Sequence, residues 1–136
     1  MTVHVRRDHP TLPAPAGVSD GGARFEQLAT PSAPSRVGVL HVHFPPGART
    51  RWHTHPLGQL LVVTSGRGWV QSRGGPPRPI STGDVVRIEP AEEHWHGAAH
   101  DTAMSHLAVQ ERDDDGAETT VLETVTDDPR LLEEPA

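Results

Sequence analysis

From Val37 to Phe44 the chain runs V-G-V-L-H-V-H-F, and its second half alternates strictly. Leu40, Val42 and Phe44 share one face of an extended segment while His41 and His43 share the other, the period-two pattern of a strand with one apolar side. Pro45-Pro46-Gly47 closes this strand with turn chemistry. The Val- and Leu-rich run Gln59 to Thr64 predicts a second strand, ended by Ser65-Gly66-Arg67-Gly68 and restarted at Trp69 to Gln71. Gly74 to Pro79 predicts a turn, Asp84 to Glu89 a strand and Pro90 to Glu93 a loop leading into His94-Trp95-His96. Met104 to Glu111 is extended again, and Asp113-Asp114-Asp115-Gly116 predicts a hairpin turn into a β-branched last strand, Thr119 to Thr126. Strands about ten residues apart imply an all-β sandwich or barrel.

The first 36 residues carry Pro10, Pro13, Pro15, Pro31 and Pro34 with Gly21 and Gly22 among them, which leaves no room for a long helix. They predict an extended arm with one short strand or turn around Phe25 to Leu28, able to exchange with a partner subunit. Of the 28 Leu, Ile, Val and Phe residues, 17 fall between 37 and 111, so the folded body is expected over 37–126, with an acidic tail at 127–136. At 136 residues the chain holds one domain.

Composition narrows the chemistry. The chain has no Cys, Lys or Tyr, which removes disulfides, thiolate ligands, Cys nucleophiles and Schiff-base chemistry. Acids and bases are then drawn from ten His and the carboxylates. A net charge of −6, with ten acids against Arg112 and Arg130 beyond position 110, argues against a nucleic-acid partner. The absence of a long apolar run argues against a membrane partner, and the N-terminus lacks a secretory pattern, so the expected address is the cytoplasm.

His53 and His55 lie two apart, so their rings leave one face of an extended segment. Gln59 shares that face if the Pro56-Leu57-Gly58 bend keeps the phase. His94 and His96 repeat the arrangement on a later strand, with His106 on a third. Converging neutral imidazoles make a divalent-cation site, for which Mn2+, Fe2+, Ni2+, Co2+ and Zn2+ all qualify. Trp95 alternates with His94 and His96 and is expected to pack away from them. His41 and His43, opposite the apolar face, are expected toward solvent or a neighbouring subunit, while His4, His9 and His100 fall in the arm or in loops.

These residues resemble the cupins. The first cupin motif places a Gly, five residues, His-x-His, three or four residues, Glu, six residues and a Gly; Gly47, His53, His55, Gln59 and Gly66 keep every interval, with Gln59 in place of the acid. In the second motif a His follows a Gly by eleven positions, as His94 follows Gly83, although its internal Gly and final Asn are missing here. The segments from Gly47 to Gln59, from His94 to Ala99 and from Thr102 to Arg112 are similar to small bacterial single-domain cupins that include the manganese-dependent (R)-selective hydroxynitrile lyases. That resemblance implies a jelly-roll barrel, and a divalent metal, foremost Mn2+, on His53, His55, Gln59 and His94. It further implies His96, His106 and Gln110 around the substrate. Such small cupins commonly pair, so a homodimer or homotetramer is expected.

Neutral donors leave the ion close to its full charge and favour Lewis-acid over oxygen chemistry. For a cyanohydrin, the expectation is a substrate hydroxyl at the metal, His106 or His96 as a base with a pKa near neutrality, and Gln110 stabilising the departing cyanide. In reverse, cyanide adds to an aldehyde, against an apolar wall of Leu40, Val42 and Leu61. A cupin oxygenase, an isomerase or decarboxylase of small oxo or hydroxy compounds, and a non-catalytic small-molecule binder remain alternatives at this point.

Overall fold

The computed structural model describes residues 2–126, so the expected acidic tail lies outside the described residues. Twelve strands form: β1 (Leu12–Pro13), β2 (Ser19–Asp20), β3 (Arg24–Ala29), β4 (Val37–Phe44), β5 (Arg49–Thr50), β6 (His53–Thr54), β7 (Gln59–Ser72), β8 (Arg78–Ser81), β9 (Val85–Ile88), β10 (His94–Ala98), β11 (Met104–Glu111) and β12 (Thr120–Val121). Every pairing is antiparallel and no helix occurs among the described residues. The protein is all-β, as its pattern requires.

Strand β7 organises the molecule. Its first half, from Gln59 to Gly66, lies between β11 and β9 in a sheet that continues β11-β4-β3-β1; its second half, from Arg67 on, lies between β10 and β8 in the other sheet. β10 also pairs with β5 and β6, and these pair in turn with β2 and β12. The glycine-rich stretch expected to end this strand is instead where it bends from one sheet into the next. Gly66 takes φ +73°, and a Cβ there would lie 1.8 Å from the Ala103 carbonyl oxygen, so only glycine makes this bend. β8 was not apparent in the sequence, where Pro79 inside Arg78–Ser81 disguised an edge strand. The expected last strand shortens to Thr120–Val121.

Residues 12–29 supply three strands to the two sheets, with Leu12 opposite Phe25, Phe25 opposite Val42 and Ser19 opposite Thr50. Residues 2–11 form no strand.

Inward alternation fixes the core. Val42, His106 and Val63 occupy one row across β4, β11 and β7; Leu40, Ala108 and Leu61 the next; Gly38, Gln110 and Gln59 the third. Polar site residues thus sit in register with the apolar core. Outside the second sheet, Trp52, Trp69, Trp95 and Val125 form a separate buried cluster. Trp95 is 1% exposed and donates its indole N–H to Gln71 Oε1 at 2.7 Å, turned away from the histidines as its alternation demands.

Candidate metal centre

β6 and β10 place His53 directly opposite His94, with ring centroids 4.2 Å apart. His96 follows two residues later on the same face of β10, and one ligand atom each from His53, His94 and His96 lies within 4.8 Å of the others. The turn after β6 carries His55, whose ring centroid is 5.1 Å from that of His53 and 5.5 Å from that of His94. Gly58, at φ +82° and with its N–H bonded to the His55 carbonyl, turns the chain so that Gln59 enters β7 facing the histidines. All of these side chains are buried.

Hydrogen bonds divide the rings into two kinds. His53, His55 and His94 each donate Nδ1–H to a backbone carbonyl, of Arg51 at 2.8 Å, Glu118 at 2.6 Å and Glu92 at 2.9 Å. A carbonyl can only accept, so each Nε2 carries a free lone pair, the tautomer that binds a metal. The Nε2 of His55 is buried without a partner, and that of His94 faces Gln59 Oε1 at 3.3 Å. Two lone pairs that close suit a cation that binds both as neighbouring ligands. His96 differs: its Nδ1 lies 3.0 Å from His106 Nε2, so its proton is shared with another titratable ring. Burial, followed by the neighbouring His94, pushes His53 down to about 3; burial pushes His94 and His106 down to about 4, and His96 well below the ordinary imidazole value. The near-neutral base expected from the sequence is thus corrected: His106 is a buried, uncharged ring across the whole neutral range. The compact group His53, His94 and His96 fits a divalent ion. The expected ligand His55 stands outside that 4.8 Å group and is linked to the centre by its buried, unpartnered Nε2, and Gln59 is linked by its Oε1 beside His94.

The family described as the cupin domain matches residues 40–110, a span that begins on β4 and ends at Gln110. The chain belongs to the cupin family. An (R)-mandelonitrile lyase from Granulicella tundricola is 52% identical to this cupin over 114 residues, covering 84% of this chain and 86% of the relative. A cupin-like protein from Thermotoga maritima superposes with a TM-score of 0.79 at 37% identity, covering 86% of this chain and 88% of its own. The polyketide cyclase RemF from Streptomyces resistomycificus shares the fold alone, with a TM-score of 0.74 at 17% identity over 95% and 90% of the two chains.

In this cupin a cavity of about 330 Å3 opens on the centre, lined by His53, His55, Gln59, His96, His106 and Gln110 on its polar side. Gln110 accepts from Gln59 Nε2 at 3.2 Å. Leu40 and Val42 line its apolar side. Leu61 is not among the residues lining the cavity: opposite Ala108 and Val86, it is completely buried in a cluster with Ile88 and Ala108. Sequence reasoning missed Phe25 on β3 with Val18 and Ala23 from the neighbouring loops, which complete the wall from the N-terminal segment, and Glu118, Thr119 and Val121 from the C-terminal side. Phe25 had a signal, since it is one of only two Phe in the chain and precedes Gln27 in alternation. The Glu118 carbonyl had none, because a backbone acceptor is offered by any residue type.

Among the described residues no helix is long and apolar enough to cross a membrane.

Proposed function

We propose that this cupin is a carbon–carbon lyase that cleaves and forms cyanohydrins. The observation that carries the reading is the division of the buried histidines, three anchored by backbone carbonyls and two joined to each other across one cavity. His53, His55, Gln59 and His94 would hold a divalent ion, manganese in our reading, which would supply Lewis acidity toward a hydroxyl or carbonyl oxygen. His106 and His96, uncharged and facing the same space, take the hydroxyl proton of the cyanohydrin. As the carbon–cyanide bond breaks, its electron pair leaves with the cyanide and the hydroxyl carbon becomes an aldehyde. The imidazolium returns the proton to cyanide, giving hydrogen cyanide and restoring the neutral pair. Gln110, already oriented by Gln59, donates its amide N–H to the departing cyanide. Leu40, Val42 and Phe25 offer the organic group an apolar surface.

The low basicity of the pair suits a mildly acidic medium, because His106, pushed down to about 4 by burial, is still unprotonated at about pH 5 and free to act as a base. Manganese-loaded protein given benzaldehyde and cyanide at that pH is expected to form mandelonitrile in enantiomeric excess, with His106→Ala reduced at least about a hundredfold. Racemic product at the protein-free rate would overturn the proposal, and oxygen uptake with enol or phenol substrates would redirect it to an oxygenase.

A further inference from the structure

We infer that Glu26, His41 and His43 form a second divalent-metal site, on the outer face of the barrel. Alternation on β4 sends Leu40, Val42 and Phe44 inward to the cavity and leaves His41 and His43 on the opposite side of the sheet. Glu26 stands directly across from His41 in the β3–β4 register, and Ser105 stands across from His43 on β11. One ligand atom from each of Glu26, His41 and His43 lies within 4.8 Å of the others. His43 Nε2 is 2.8 Å and 3.0 Å from the two carboxylate oxygens, and His41 Nδ1 is 3.7 Å from the nearer one.

The ring nitrogens turned away from this point are held, and so is one carboxylate oxygen that faces it. His41 Nε2 meets Thr64 Oγ1 at 2.8 Å, His43 Nδ1 meets Ser105 Oγ at 2.7 Å, and Thr11 donates its hydroxyl to Glu26 Oε2 at 2.8 Å. Thr64 reaches His41 because the β7–β11 register shifts between Ser105 and His106, leaving it as the extra residue of a bulge. Hydroxyl partners matter here, since each can donate or accept. With no ion, His43 Nε2–H donates to Glu26 and Ser105 donates to Nδ1. With an ion, Ser105 rotates to accept from Nδ1–H and Nε2 presents its lone pair. His41 needs no change, because Thr64 can accept from Nε2–H and leave Nδ1 free.

Two imidazoles and a carboxylate select first-row divalent ions such as Zn2+ over Mg2+ or Ca2+. The side chains are 27%, 35% and 15% exposed for His41, His43 and Glu26, so an ion enters from solvent and water completes its shell. Such an ion clasps β3, which carries Phe25 in the cavity wall, to β4.

The test is equilibrium dialysis of the full chain against low-micromolar Zn2+ followed by elemental analysis. Wild-type protein is expected to retain one more equivalent per chain than a His41→Gln/His43→Gln double variant, whatever the barrel centre holds. His53→Ala/His94→Ala separates the two, because it empties the barrel and leaves the outer equivalent. Glu26→Gln, nearly isosteric, keeps the strand pair and is expected to weaken the outer site at least about tenfold, with faster amide exchange over β3 in Zn2+ than wild type. Equal zinc content in wild type and the double variant, or undiminished affinity in Glu26→Gln, would overturn the inference.

Discussion

His53, His94 and His106 are each far more acidic in the folded chain than a free imidazole, because burial disfavours their charged forms. Unfolded chains regain an ordinary value near 6.5, so below that pH the unfolded state binds protons that the folded state refuses. Their contribution is therefore complete above about pH 6.5 and is lost on acidification, down to about pH 4 for His94 and His106 and about pH 3 for His53. Each such group adds a slope of up to about 1.4 kcal/mol per pH unit. Metal-stripped protein is expected to show a urea midpoint that falls steadily between pH 7 and 5, and a flat midpoint would contradict neutral burial. The histidines were legible in the sequence because two His-x-His pairs fix faces by spacing alone. The bond between His96 and His106 was not, since it depends on how far β11 slides along β7. Nor was the meeting of Glu26 with His41, which needs the β3–β4 register.

At the level of strands, the alternation at Leu40, Val42 and Phe44 is enough to define β4, its inward face and the outward turn of His41 and His43. β7 misled for a physical reason: Ser-Gly-Arg-Gly has the composition of a turn, and glycine serves equally for a strand that must change sheets. The distinction can be measured. Gly66→Ala forces a side chain into positive φ and into the Ala103 carbonyl, and is expected to cost more than about 2 kcal/mol. Gly47→Ala shares the positive φ, at +80°, but a Cβ there meets nothing within 4 Å, so its cost is expected near 1 kcal/mol. Thermal denaturation of both variants, compared under one buffer, reads the difference.

Across the whole molecule, ligands and walls come from different stretches of chain. His53 to Gln110 carries every residue assigned to the metal and to proton transfer, whereas Phe25, Val18 and Ala23 precede it and Glu118, Thr119 and Val121 follow it. Phe25→Ala is expected to raise KM for benzaldehyde about tenfold while admitting bulkier aldehydes, and to leave the metal content unchanged. Kinetics over a graded aldehyde series, with elemental analysis alongside, test this; a loss of metal would show that the wall also supports the centre.

A barrel whose reactive middle is enclosed by borrowed termini has an engineering corollary. Segments before Val37 can be exchanged between homologues, and so can the stretch after Glu111 wherever a backbone carbonyl at position 118 is kept for His55, retuning which molecules are admitted while the reagent inside stays in place. Diversification of appetite and preservation of reactivity would then proceed along separate parts of one polypeptide.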